Sequence, residues 1–276
     1  MSDFFEEIRN AIEAQSGRLS KYTVSTYMGH ISKIRQYRSQ LDCSDIDRPF
    51  LDGYVDFMKA RDNAEGTIFR SLAVLRNFVN ILQKCGKIEK SPFENYRMSH
   101  VRSRRHFLEI DELRTLYDGF LDKGDSLTFA ERESLRAFLF SCFTGLRYAD
   151  LKSLCFDDVK NGKIRKWTQK TGQMVYIPIP EQAKVLLGDV PQGKVLHVVN
   201  NSCFNRNLRS GAKKIGFQRY LHAHLARHTF ATACISLGIP IEIVSKMLGH
   251  SVLSTTLIYA NYVDATIDRV MSKFSI

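Results

Sequence analysis

Apolar residues recur at steps of three and four along most of this chain, and that period predicts helices. In the first stretch Phe4, Ile8 and Ile12 fall on one face. Val24, Tyr27, Met28, Ile31, Ile34 and Tyr37 do the same over 22–37. A third helix is expected over Pro49–Ala60, with the proline in its first turn and Phe50, Leu51, Tyr54, Val55 and Met58 as its apolar stripe. The clearest stripe is Ile68, Leu72, Leu75, Val79 and Leu82, stopped by Gly86. Strand-like alternation is absent, so residues 1–96 read as a small helical bundle.

The period breaks over 97–106, RMSHVRSRRH, where four arginines and two histidines carry no apolar register. This reads as an exposed basic linker. A second domain is expected over 107–276. Its helices are predicted at Ile110–Tyr117, Ala130–Phe143, Leu146–Leu154 and about 181–187, 203–214, 222–236, 241–248 and 252–261. Between them, KIRKWTQKTGQMVYIPI (163–179) is rich in β-branched and aromatic residues around Lys170-Thr171-Gly172-Gln173, which suits a hairpin. The fold class is therefore mainly α in two domains, a helical bundle followed by an α-rich domain with a small antiparallel sheet. The end, Ala265–Ile276, is amphipathic through Ile267, Val270, Met271 and Phe274.

Charge changes the picture more than composition does. The formal net charge is +11 and the pI about 9.4, which favours a polyanionic partner through Coulomb attraction and counterion release. Basic side chains interleaved with aromatics in the first domain, Lys21, Lys33, Arg35, Arg38, Arg70 and Arg76, are candidates for phosphate contact, as are Arg102, Arg104 and Arg105 in the linker. The six cysteines form no C-x-x-C pair and read as reduced core thiols. No apolar run has the length of a membrane span, and MSDFFEEIRN reads as neither a signal nor a transit peptide. The expectation is a cytoplasmic, nucleoid-associated protein with no membrane partner.

The chemistry concentrates between His222 and Tyr262. His224 and Arg227 lie three residues apart and share a helical face. Gly249 suits a left-handed cap, His250 follows at once, and Tyr259 comes nine residues later. Arginine offers a planar fork to phosphate oxygens, histidine moves protons near neutral pH, and a tyrosine hydroxyl can form a covalent intermediate. No group of Asp, Glu, His or Cys has metal-ligand spacing, and there is no Walker A loop, so no cofactor is expected.

H-L-A-R-H-T-F-A-T, then L-G-H-S, then T-T-x-x-Y-A, together with the upstream Thr144-Gly145-Leu146-Arg147, resembles the signature of the tyrosine recombinases, the lambda-integrase and Xer family. The segment TIFRSLAVLRNFVNILQKCGKIEKSPF is similar to the last helix of that family's core-binding domain. The resemblance implies a core-binding (SAM-like) domain over 1–96 and a catalytic domain over 107–276, forming a clamp around DNA. It implies Arg147 and Arg227 as the phosphate-binding arginines, Lys170 as the general acid on the leaving 5′-oxygen, and His224 as a phosphate or proton partner. His250 would hydrogen-bond the phosphate, and Tyr259 would be the nucleophile. Lys163 and Lys166 compete with Lys170, and Tyr262 with Tyr259. Asp150 and His228 are read as supporting residues, the former orienting Arg147 or the neighbouring fold, the latter packing or backing a residue that contacts the phosphate.

The function implied is site-specific cutting and rejoining of double-stranded DNA through a 3′-phosphotyrosyl link and a Holliday junction. Four protomers on two DNA sites, with possible accessory DNA-bending proteins, would carry it out without metal or ATP. The chain resembles the shorter Xer-like plan, without an arm-binding domain. Two alternatives stand beside it, a type IB topoisomerase-like relaxing enzyme and a non-catalytic sequence-specific DNA-binding protein.

Overall fold

The structure is a computed structural model and describes residues 2–15, 17–98, 106–188 and 192–260. The chain divides into two compact units, Met1–Arg104 and Arg105–Ile276.

The first unit contains four α-helices, α1 (Phe4–Ala14), α2 (Lys21–Tyr37), α3 (Arg48–Lys59) and α4 (Glu65–Lys84). Each of the first three starts where a side chain satisfies a free helix-end amide: Asp3 caps α1, Ser20 caps α2 and Asp47 caps α3. Pro49 sits in the first turn of α3, where its missing N–H costs nothing. The helices bury Phe4, Leu51, Tyr54, Leu75, Phe78 and Val79 completely. Each such side chain contributes about 1.5–3 kcal/mol relative to exposure.

The basic residues of this unit divide into two groups. The guanidinium of Arg35 lies over the Phe5 ring at 4.5 Å and that of Arg38 over Phe50 at 5.9 Å. These two arginines cover the aromatic core as well as offering charge. Lys21, Arg70 and Arg76 are exposed and Lys33 is half-buried. Burial lowers the pKa of His30, and the charges of Lys33 and Arg70 lower it further, which brings these two basic residues to the same patch of surface. Arg102, Arg104 and Arg105 lie outside the described residues.

The second unit runs α5 (Ile110–Lys123), α6 (Phe129–Thr144), α7 (Tyr148–Lys152), β1 (Val159–Lys160), β2 (Lys163–Trp167), β3 (Met174–Pro178), α8 (Glu181–Lys184), α9 (Asn201–Lys214), α10 (Ala223–Ser236), α11 (Ile241–Leu248) and α12 (Ser254–Ala260). The sheet is antiparallel in the order β1-β2-β3. Ile164, Val175 and Ile177 point into the core, while Lys163, Arg165 and Trp167 face out. The expected hairpin therefore has a third strand, joined to β2 by Asn161-Gly162. Both turn residues have positive φ (52° and 70°), the pattern of a type I′ turn.

Helix α6 is the hub of this unit. Phe138, Leu139 and Phe140 are fully buried, and α9 and α10 pack against it. The helix begins in a reciprocal capping box between Thr128 and Glu131. Burial works to raise the pKa of the Glu131 carboxyl. Hydrogen bonds from Lys214 and Ser210 on α9, and from Thr128, outweigh it and hold the pKa down to about 2.

The cysteines depart in part from expectation. Cys43, Cys142 and Cys234 are buried, but Cys155 and Cys203 are half-buried and Cys85 is exposed, because these three sit at helix ends or turns, not on an apolar face. Among the described residues no helix is long and apolar enough to cross a membrane.

Candidate active site

Two glycines in left-handed conformation hold the site together. Gly145 ends α6 with φ 69°, and Gly249 ends α11 with φ 61°. A Cβ on Gly145 would lie 2.5 Å from Phe230 Cδ1, and one on Gly249 would lie 2.8 Å from Val175 Cγ1. Both positions therefore require glycine for conformation and for space. Their carbonyls receive the two candidate arginines. Arg227 Nη1 donates to Gly145 O at 2.7 Å, and Arg147 Nη2 lies 3.4 Å from Gly249 O.

Arg227 is 3% exposed on α10. Its Nη2 donates to Leu248 O at 2.6 Å and also lies 2.9 Å from His250 Nε2. A guanidinium has no acceptor, so Nε2 of His250 is the accepting nitrogen. The proton of the neutral ring is then on Nδ1, which donates to Thr256 Oγ1 at 2.7 Å. Burial depresses the pKa of Arg227 to about 9, with the nearby charge of Arg147 acting in the same direction. Tyr259 and Asp150 pull it back up.

Arg147 caps the N-terminus of α7. Burial lowers its pKa, against the raising influence of Asp150 and Tyr259. Its Nη1 is buried without a hydrogen-bond partner among the described residues, as is Oδ2 of Asp150, 4.0 Å away. Asp150 instead uses Oδ1 to accept from the backbone N–H of Gln169 at 2.8 Å. It thus holds the hairpin loop to α7 while standing behind Arg147.

Lys170 is exposed in the loop between β2 and β3. Its neighbour Thr171 donates to Gly249 O at 3.1 Å, which fastens the loop beside the arginines. The competing lysines are otherwise engaged. Lys166 Nζ is buried against Asp158 Oδ2 at 2.7 Å and Ser153 O at 3.0 Å, and Lys163 lies over the Tyr176 ring at 5.3 Å.

His224, exposed at the start of α10, lines a polar cavity of about 180 Å³ together with Arg147, Arg227, Asn201, Asn205 and His222. His222, for which the sequence offers no role, thus belongs to the rim of the site. Its pKa is lowered by burial, and next by the charges of His106 and Arg209.

Tyr259 on α12 is 2% exposed, and its hydroxyl lies 2.8 Å from His228 Nδ1. His228, expected either to pack or to support a neighbouring site residue, is turned by α10 one residue from Arg227 onto the tyrosine oxygen. Tyr262 lies outside the described residues. Sequence reasoning also missed Thr256, although it lies within T-T-x-x-Y-A, because a threonine's value as a histidine partner depends on a helix turn that no spacing announces. Among the described residues no group of three or more His, Cys, Asp or Glu could hold a metal ion.

Comparison with known proteins agrees with this arrangement. Residues 106–265 match the phage integrase family, and residues 3–98 match the phage integrase SAM-like domain. A tyrosine recombinase of Thermosipho africanus is 27% identical over 283 residues, covering 95% of this chain and 94% of its own. The tyrosine recombinase XerC of Chromobacterium violaceum is 26% identical, covering 92% and 89%. The fold is similar to that of a lambda integrase (75–356) dimer bound to a COC′ core site, with TM-score 0.73 and 18% identity over 91% of this chain and 92% of that one. It is also similar to the Tn1549 transposon integrase in complex with transposon right end DNA, with TM-score 0.74 and 16% identity over 98% of both chains. The chain belongs to the phage integrase family, the tyrosine-type site-specific DNA recombinases.

Proposed function

We propose that this chain cuts and rejoins DNA through Tyr259, with the second unit as catalytic domain and the first as core-binding domain. The observation that carries the reading is the convergence of a buried guanidinium, Arg227, a half-buried one, Arg147, and His250 on the neighbourhood of a tyrosine hydroxyl. Burial deprives Arg227, and Arg147 in part, of water, so each gains from an anion that enters the site. A phosphodiester supplies one, and the partnerless Nη1 of Arg147 is a donor for its oxygen. In the five-coordinate transition state the two guanidiniums share the added charge without reorganising, the form of stabilisation with the largest effect on rate.

Tyr259 attacks phosphorus, giving a 3′-phosphotyrosyl link and releasing the 5′-oxygen, which takes a proton from Lys170. His224 and His250 hydrogen-bond the phosphate. The energy of the broken bond stays in the phosphotyrosyl ester, so a 5′-hydroxyl from a partner strand reverses the step without ATP. Two such rounds pass through a Holliday junction. A lambda integrase tetramer bound to a Holliday junction is among the structural relatives, and four protomers on two sites is the assembly we infer here. In support, the second unit has an apolar groove of about 640 Å³ lined by Leu113, Tyr117, Phe143, Phe230, Leu237 and Met247. The amphipathic segment Ala265–Ile276 of a neighbouring protomer has the chemistry to fill it. Lys21, Lys33, Arg70 and Arg76, with the linker arginines, contact the DNA backbone, and nucleoid association follows from that binding.

The test is an SDS-resistant protein–DNA adduct on end-labelled duplexes spanning the junctions of the element that encodes the chain. Wild type forms the adduct on the 3′ side of the break, and Tyr259→Phe does not. Loss with Tyr262→Phe alone would move the nucleophile to that position. Binding without an adduct, even on nicked substrates that trap cleavage, would replace the enzyme by a DNA-binding protein. Relaxation of arbitrary plasmid would favour topoisomerase-like action.

A further inference from the structure

The tyrosine must lose its proton before or as it attacks, and besides His222 on the rim the site contains three histidines that a sequence cannot rank for this task. Their surroundings can. His250 has its accepting nitrogen on Arg227 and its N–H on Thr256, so it has no free basic nitrogen while Arg227 is in place. His224 is exposed and lines the polar cavity on the phosphate side. His228 is buried, and its Nδ1 is 2.8 Å from Tyr259 Oη, the distance of a hydrogen bond that already contains the proton to be moved.

We propose that His228 is a catalytic residue, the proton acceptor for Tyr259, resting on the reading of Tyr259 as nucleophile. In the ground state the phenol donates to Nδ1 of a neutral ring. On attack the O–H bond breaks, an N–H bond forms at Nδ1, and the oxygen's electron pair goes to phosphorus. The resulting imidazolium donates back to the tyrosine oxygen. In the reverse step it returns the proton as the phosphotyrosyl bond breaks, so one residue serves cleavage and ligation. The ring of His224 meets His228 edge-on at 4.3 Å and connects this buried pair towards the solvent-exposed side. Arg147 and Arg227, whose charges both interact with that of Tyr259, favour the phenolate and so lower the demand on the base.

Among the described residues, His224, Arg147 and Arg227 are charged or titratable groups that face the pair. The proposal assigns the acceptor role to the residue after the H-x-x-R box, not to its histidine.

The experiment uses the full chain and single-turnover cleavage of nicked duplexes. His228→Asn places an amide oxygen close to Nδ1, keeping the hydrogen bond but unable to take the proton. His224→Asn and Tyr259→Phe are run beside it. With His228→Asn, DNA binding and melting temperature stay near wild type, and cleavage at neutral pH falls about 100-fold or more. The residual rate then climbs with pH as hydroxide replaces the missing base, where wild type levels off.

A substrate with sulfur at the leaving 5′ position, whose thiolate departs without a proton, does not rescue His228→Asn. If that substrate restores cleavage, His228 acts on the leaving group and the proposal is overturned. It is equally overturned by a rate within threefold of wild type, or by a loss that leaves the pH profile unchanged in shape. An adduct that survives Tyr259→Phe instead refutes the assignment of the nucleophile, a separate failure that the control identifies.

Discussion

The Nη1 of Arg227 donates to the carbonyl of Gly145, 82 residues earlier, at 2.7 Å. One of the two candidate arginines is thereby aimed by the backbone of the turn that precedes the other one. The backbone at Gly145 is in turn fixed by a conformation that a side chain disfavours and by a Phe230 ring that leaves no room for one. Gly145→Ala is therefore expected to cost about 2–4 kcal/mol, the sum of left-handed strain and overpacking. Thermal melting measures the loss. Cleavage by the folded fraction should fall as well, since the displaced carbonyl no longer aims Arg227.

Arg227→Lys keeps the charge and loses the geometry. Three groups share this guanidinium, Gly145 O, Leu248 O and His250 Nε2, and a single ammonium cannot span them. Freed from the arginine, His250 is no longer held to one tautomer. Cleavage should fall about 100- to 1,000-fold while affinity for DNA, carried by many phosphate contacts, changes little. Gel-shift and adduct assays on the same preparation separate the two.

The hairpin lysines should behave oppositely. Lys170→Ala, at an exposed loop position, leaves the melting temperature unchanged and slows cleavage, and a 5′-sulfur substrate restores it. Lys166→Ala removes a buried partner of Asp158 and Ser153 and should destabilise by about 1–2 kcal/mol, with no rescue by sulfur. If sulfur rescued Lys166→Ala instead, the acid would belong to the strand and not to the loop.

Acid should loosen the catalytic unit at the junction of α6 with α9. The folded pKa of Glu131 is held to about 2, below the ordinary carboxylate value. A depressed acid stabilises the fold above its unfolded pKa of about 4.3 and loses that contribution as pH falls through the folded value. The melting temperature should therefore drop between about pH 4.5 and 2. In Glu131→Gln, melting at pH 7 is lower and the acid dependence over that window is weaker.

The helices were legible in the sequence because their apolar stripes are what the core buries. Ile68, Leu72, Leu75, Val79 and Leu82 lie on the buried face of α4, and Ile8 and Ile12 on that of α1. Helix ends were less so. The helix expected over 146–154 shrinks to α7, because Arg147 takes the cap position and Ser153 ends the turn. The first strand of the sheet was legible and overlooked, since Asn161-Gly162 is a strong hairpin turn signal beside a strand of only two residues.

Arg147, Arg227, His250 and Tyr259 lie near one another, and it is the resemblance, not spacing, that groups them in the sequence. Apart from the direct bond of Arg227 to His250, the hydrogen bonds that set the arginines were not legible, because they run through carbonyls. No residue type announces that Gly145, Leu248 and Gly249 will lend their oxygens. The partner of His228 was not legible for a related reason: one residue of helix is a rotation of about 100°, and only the position of α12 reveals what stands on that side.

The bond from Gln169 N–H to Asp150 ties the loop carrying Lys170 to the short helix capped by Arg147. The proposed acid for the leaving group and the proposed anion holder are thus joined through this bond, beside the one from Thr171 to Gly249. A loop that swings away withdraws the lysine and at the same time exposes a buried carboxylate beside the arginine, so an unassembled site is costly as well as idle. Recombination demands that no strand be opened before its exchange partner is present. On the proposed reading, this linkage ties cleavage to a closed loop through the amide of Gln169 and the hydroxyl of Thr171.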